Sequence, residues 1–136
     1  MPGETDLKKL LNSLSPSLCD DEFVFCTMQN APYGDYPELK PLAMFAESEG
    51  LSMIVPRNRA DGHGIPYDSV FRCITLRVFS GLEVVGLTAA ITSRLAEHGI
   101  AANVVAAYHH DHIFVPADRA IKAMNILSAI QKDHYL

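Results

Sequence analysis

The segment Phe79-Ser80-Gly81-Leu82-Glu83-Val84-Val85-Gly86-Leu87 is the part of the chain best suited to holding a small ligand. It reads as a strand end, a glycine turn and the opening of a helix. A helix N-terminus presents unpaired backbone N–H groups and a partial positive charge, which suit a carboxylate. Gly86, read as part of the first helical turn, costs helix stability and lets a ligand or another backbone come close. Further on, Asn103 stands on a predicted strand, and its amide both donates and accepts. If that strand lies beside strand 70–79, Asn103 comes near the helix N-terminus. The pair then suits a zwitterion, with its carboxylate on N–H groups and its ammonium on carbonyls or Asn103. The simpler reading of the bare pattern is that Gly81 and Gly86 serve only the turn and helix–sheet packing.

The run His109-His110-Asp111-His112 raises a metal reading. In an extended segment His110 and His112 share one face, with His109 and Asp111 on the other. Two histidines leave a metal short of ligands unless His63, His98 or another chain contributes. A solvated hairpin turn is the simpler reading, and no metal is expected. Cys19, Cys26 and Cys73 are odd in number and lack CxxC spacing, which fits reduced, partly buried thiols and supports neither a disulfide framework nor zinc. Ser80 and His98 are separated by a whole predicted helix, roughly 20 Å, so no Ser–His pair is implied. Asp20-Asp21-Glu22 and Glu47-Ser48-Glu49 read as solvated strand ends and turns. Arg57 and Arg59 beside Asp61 read as surface charge or as an attractor for an anion. No catalytic residues and no cofactor are expected.

Composition narrows the field further. The chain has 136 residues, 11 Lys+Arg against 16 Asp+Glu, and 49% hydrophobic residues. That length supports a core without a metal or disulfide staple. A net charge of −5, with no basic cluster beyond Lys8-Lys9, argues against nucleic-acid binding. The absence of Trp argues against a base-stacking platform. No apolar run approaches the roughly 18 residues of a membrane span, and Met1-Pro2-Gly3-Glu4 is no signal peptide. A cytoplasmic protein is expected.

The elements that must position these residues follow from periodicity. Leu7, Leu10, Leu11 and Leu14 mark one face of a short helix, stopped at Ser15-Pro16. Residues 22–28 read as a strand, and the proline-rich stretch 30–41 as a loop. Strands 42–48 and 51–55 form a hairpin turning at Glu49-Gly50, and 57–67 is a loop or at most a helical turn. Strand 70–79 alternates, with Ile74, Leu76 and Val78 on one face and Cys73, Thr75 and Arg77 on the other. Helix 83–98 carries Val84, Leu87, Ile91 and Leu95 on a stripe and ends at Gly99. Residues 101–107 and 112–115 form a hairpin around His109-His110-Asp111. Pro116 opens a last helix with Ala120, Ala123, Met124, Leu127 and Ile130 inward.

A shift of 60 places residues 43–60 over 103–120 and matches Ala46/Ala106, Val55/Val115, Pro56/Pro116, Arg59/Arg119 and Ala60/Ala120. Strand 22–28 falls on 72–78 at a shift of 50. The chain therefore reads as a duplicated β(α)ββ unit, with the first copy's helix worn down to the loop around Tyr33-Gly34-Asp35-Tyr36. Strand, helix, hairpin and helix make a split βαβ unit, so the fold class is α+β, ferredoxin-like.

Glu83-Val84-Val85-Gly86-Leu87 followed by Gly99-Ile100-Ala101-Ala102-Asn103-Val104 resembles the ACT-domain pattern, an acid-x-Pro-Gly-Leu helix opening and then Gly-Ile in the second strand. Residues 102–106 and 108–116 are similar to small bacterial-type tandem ACT proteins, whose second half resembles the ACT modules of cytosolic arginine sensors. Gly3-Glu4-Thr5-Asp6-Leu7 and Glu22-Phe23-Val24-Phe25-Cys26-Thr27 look like the same family's first half. The resemblance implies tandem βαββαβ modules, 1–66 and 67–136, the first with a degenerate helix. It also implies non-catalytic binding of a small ligand, an amino acid, in a regulatory or sensing role. The positions expected to line the ligand are Ser80, Gly81, Leu82, Glu83, Val85, Gly86 and Leu87, with Ala102, Asn103 and Val104. Val85 replaces the usual proline, and the first half lacks the motif, so one site per chain or one shared across chains is expected. The output would pass to a regulated protein that the residues do not identify. Homodimerisation is compatible with exposed sheet edges. The alternatives are a metal protein or enzyme using His109, His110 and His112, and an interaction module without a ligand.

Overall fold

The computed structural model of the chain describes residues 6–77 and 85–133, with side chains as far as Ile130. The chain divides into two compact units: the residues up to Cys19 together with those from Arg72 onward, and Asp20–Phe71. Among the described residues, no helix is long and apolar enough to cross a membrane.

In the Asp20–Phe71 unit, the later part of β1 (Pro16–Met28) pairs antiparallel with β3 (Gly50–Pro56), which pairs with β2 (Ala43–Glu47). Leu51, Met53 and Val55 alternate along β3 and are buried with Val24, Leu39 and Ala60 in one core. Between β1 and β2 the described backbone forms only a 3-10 turn, Pro37–Leu39, whose Leu39 side chain is buried in that core. The hairpin turns one residue earlier than expected: Glu47 pairs with Gly50, leaving Ser48-Glu49 as the turn. Gly50 is needed for a different reason. A Cβ there would lie 2.9 Å from both the Met28 carbonyl oxygen and Thr27 Oγ1.

After β3, the segment expected to be a loop or helical turn forms a six-residue helix α2 (Arg57–Gly62), with Ala60 in the core. Arg57 donates from Nη1 to Glu22 at 2.9 Å and from Nε to the Tyr67 hydroxyl at 3.1 Å. Tyr67 in turn donates to Asp61 at 2.7 Å. Arg57 is thus engaged within the unit, and its exposed charge ties the segment after α2 back to β1.

The other unit contains α1 (Leu7–Asn12), the start of β1, β4 (Phe71–Leu76, from Arg72), α3 (Leu87–Glu97), β5 (Asn103–Ala106), β6 (Asp111–Pro116) and α4 (Ala120–Asp133). Asp6 caps α1 by accepting from the Lys8 N–H at 3.0 Å. Strand order here is β1–β4–β6–β5, so the place beside β4 is filled by residues from the N-terminal part of the chain. β5 and β6 pair antiparallel, Asn103 opposite Phe114 and Val105 opposite His112. The expected stripes meet in one core: Leu10, Leu11 and Leu14 of the N-terminal segment, Ile74 and Leu76, Leu87, Ile91 and Leu95, Ile113 and Val115, and Ala120, Ala123, Leu127 and Ile130. Ile126 joins them, while Met124 is only partly buried against the cluster.

Three further expectations need correction. β1 begins at Pro16 rather than 22, because neighbouring strands hold an extended segment whose exposed Asp20 and Asp21 carry no strand preference of their own. The last helix is entered through a 3-10 turn, Ala117–Arg119. Helix α3 starts at Leu87, so Gly86 precedes the helix and is not part of its first turn. Its other end is as expected. Ile100 N–H bonds to Leu95 O at 3.0 Å and Gly99 N–H to Ala96 O at 2.9 Å, the paired bonds of a Schellman cap.

Candidate functional site

Gly86 is the N-cap of α3, with φ 94° and ψ −11°, and its carbonyl accepts the first helical bond from Ala90 at 2.9 Å. A positive φ of this size disfavours any residue with a Cβ, so the sequence starts the helix at the residue after the glycine. Gly86 has no side chain with which to cap this N-terminus. Val85 just before it is 85% exposed, whereas Leu87 just after it is 1% exposed and anchors α3 in the core. On one side Gly86 is closed off, because a Cβ there would lie 3.3 Å from Leu7 Cδ2 of α1. Ser80, Gly81, Leu82 and Glu83 lie outside the described residues.

The second group of predicted residues divides between two faces. Ala102 and Val104 pack against the helix-side core. Asn103, by strand alternation, takes the opposite face and is exposed. Strand β6 also intervenes between β4 and β5, so the condition that would bring Asn103 beside strand 70–79 is not met. Gly86 and Asn103 instead stand at opposite ends of α3, whose 11 residues rise about 16 Å. Within one chain the structure groups Val85, Gly86 and Leu87 and leaves Asn103 apart from them.

The histidine run also divides. His109 and His110 lie in the turn 107–110, closed by an Ala107 N–H bond to His110 O at 3.1 Å. Asp111, expected in the turn, belongs with His112 to β6. His112 Nδ1 lies 2.9 Å from Thr75 Oγ1 on β4, and Cys73 Sγ lies 3.9 Å from the same hydroxyl. Burial, then the nearby positive His110 and Arg77, push the His112 pKa down, against the pull of Asp111. Burial likewise pushes Asp111 up, partly offset by His112 and His110. Both half-buried groups are therefore moved toward their neutral forms. Among the described residues no three His, Cys, Asp or Glu side chains are grouped to hold a metal. The Thr75–His112 pair was not foreseen; its one signal was that His112 lies two residues before the apolar Phe114 on an alternating strand.

Comparison with known proteins agrees with this architecture. One ACT-domain profile matches residues 2–72 and a second matches 68–129. A crystal structure of a Vibrio cholerae protein, titled as of unknown function and a possible transport protein, is 45% identical, with TM-score 0.84, covering 92% of this chain and 95% of that one. An Agrobacterium tumefaciens protein shares the fold at TM-score 0.70 and 14% identity, covering 85% of this chain and 87% of the other. The ligand-free regulatory subunit of aspartate kinase from Thermus thermophilus does so at TM-score 0.60 and 9% identity, covering 87% and 98%. No curated protein matches. ACT domains are typically ligand-binding regulatory modules of enzymes in amino-acid metabolism and are not themselves catalytic. With two such modules in tandem, this chain belongs to the ACT-domain family.

Proposed function

We propose that this protein is a non-catalytic regulatory sensor that binds an amino acid at the N-terminus of α3. The observation that carries the reading is the glycine-capped end of α3, with exposed Val85 beside backbone N–H groups that Gly86 has no side chain to cap. Those groups would receive the ligand carboxylate. Ser80, Gly81, Leu82 and Glu83 stay proposed ligand contacts on the sequence pattern alone. Because Asn103 stands at the far end of α3, a ligand touching both Gly86 and Asn103 would take them from two copies of the chain. Binding would then favour the paired state and pass a signal to a partner protein by population shift.

A thermal-shift screen of the twenty amino acids, with divalent metals alongside, tests this. A ligand at about 100 times its dissociation constant adds roughly 2.7 kcal/mol to the folded state. We expect one amino acid to raise the melting temperature and sedimentation to show more dimer in its presence. Asn103→Ala, at an exposed position, and Val85→Glu, which places a carboxylate against the ligand's own, should each abolish the shift. No shift with any amino acid, or a shift both variants retain, would overturn the assignment. A shift with zinc alone would move the site to His110 and His112.

A further inference from the structure

Cys19 and Cys73 stand on adjacent strands of one unit, β1 and β4. The Arg77 N–H donates to Ser15 O at 3.2 Å, just outside the start of β1 and the end of β4. At the other end of the pair, Arg72 Nε and Nη2 donate to the Cys19 carbonyl oxygen at 3.1 and 2.8 Å. The strand segments therefore run in opposite directions. Stepping four residues forward from Ser15 and four back from Arg77 brings Cys19 opposite Cys73.

Their side chains also share a face. Ile74 and Leu76 belong to the helix-side core, and Leu18 packs against it, so by alternation Cys73 and Cys19 both turn to the other face. Directly opposed residues of antiparallel strands have Cα atoms about 4.5–5.5 Å apart. That falls inside the roughly 4.4–6.8 Å range a disulfide spans. Cys26 belongs to the other unit, where it packs against a different core, and serves as an internal control.

We propose that Cys19 and Cys73 form a reversible dithiol–disulfide pair, a redox modification site on the sheet face turned away from α3 and α4. In the structure both are thiols. Cys19 is partly exposed and Cys73 is 3% exposed, which divides the roles. Burial, with the nearby Cys19, pushes the Cys73 thiol up despite its bond to Thr75, so the more accessible Cys19 is the first to react. With a hydroperoxide as oxidant, Cys19 sulfur attacks the outer peroxide oxygen. The O–O bond breaks, an alcohol leaves (water, for hydrogen peroxide), and Cys19 becomes a sulfenic acid. Cys73 sulfur then attacks the Cys19 sulfur, the S–O bond breaks, and hydroxide leaves as water with the Cys73 proton. Two thiols have lost two electrons and two protons, and the peroxide has been reduced to alcohol and water. The new bond ties the start of β1 to β4.

The test is intact-mass and peptide analysis of the full chain after equimolar hydrogen peroxide, under non-reducing conditions. We expect loss of the mass of two hydrogens, a linked pair of peptides containing Cys19 and Cys73, a Cys26 that still alkylates, and full reversal by dithiothreitol. Cys19→Ser should remove the mass loss, as should Cys73→Ser. Because Cys73 is buried, circular dichroism checks that its variant folds, and Cys19→Ser, at the partly exposed position, decides the matter if it does not. The proposal fails if both thiols still alkylate after oxidation. It fails equally if Cys19 goes on to sulfinic acid with Cys73 unchanged, or if the product is a dimer linked through Cys19.

Discussion

Replacing Gly86 with alanine separates two physical demands at the start of α3. The first is conformational: at φ 94° a residue with a Cβ is strained by about 1–2 kcal/mol. The second is steric. The new Cβ would stand 3.3 Å from Leu7 Cδ2, closer than an unstrained contact, and Leu7 is itself partly buried against the core. Mild overpacking of this kind adds about 1 kcal/mol unless Leu7 moves aside. Gly34 supplies the control, since its φ is 95° but a Cβ there meets nothing within 4 Å. Gly34→Ala should therefore cost about 1–2 kcal/mol and Gly86→Ala about 2–3 kcal/mol. Urea unfolding of each variant reads this as a lower midpoint at unchanged slope. A cycle with Leu7→Ala isolates the contact, because Leu7→Ala should cost less in the Gly86→Ala background than in the parent. If Gly86→Ala unfolds at the parent's midpoint, the left-handed cap is wrong. If Gly86→Ala and Gly34→Ala cost the same and the cycle closes to zero, Leu7 does not abut the end of α3.

Leu95→Ala empties a fully buried position on the α3 stripe and should cost about 2–5 kcal/mol in urea unfolding, whereas Phe45→Ala, at a side chain 72% exposed, should cost under about 1 kcal/mol. Thr75→Val removes the hydrogen bond to His112 and should cost about 1 kcal/mol by the same assay. His112 should make stability depend on pH: the unfolded imidazole takes a proton near its ordinary value of 6.5, while the folded one, pushed down, stays neutral. Stability therefore falls as pH drops below that value toward the lowered folded pKa, and His112→Gln should flatten this limb in urea midpoints measured from about pH 7.5 to pH 5. Asp111 has the opposite sign: held protonated longer in the folded state, it costs stability as pH rises from 3.8 through its raised folded value. Asp111→Asn should thus raise the urea midpoint at pH 7.

How far the fold can be read from the residues depends on whether the signal is local. The α3 stripe of Leu87, Ile91 and Leu95, the alternation in β4, and the glycine after α3 are local signals, and each is found where expected. The first residues of β1 were missed because Pro16 and the paired Asp20-Asp21 say nothing of strand by themselves; the neighbouring strand holds them extended. The leucines of α1 announced a helix, but nothing in their spacing says that it packs with chain from Arg72 onward rather than with what directly follows it.

The candidate site divides along the same line. Gly86 before Leu87 is a local signal, and it led to a helix N-terminus that the structure places at Leu87, four residues after the expected start at 83. Bringing Asn103 to that N-terminus required a strand order, which periodicity does not contain: the return strand of a hairpin can lie inside or outside its partner. Here β6 lies inside, and the residues of β5 are carried one strand further out. Alternation alone, however, already separates Asn103 from Ala102 and Val104, because three consecutive strand residues never share a face. Two of the three serve the core. The third is therefore the one whose substitution should change what the protein binds without changing how well it folds, and a loss of stability in Asn103→Ala would place its side chain inward and undo the two-copy site.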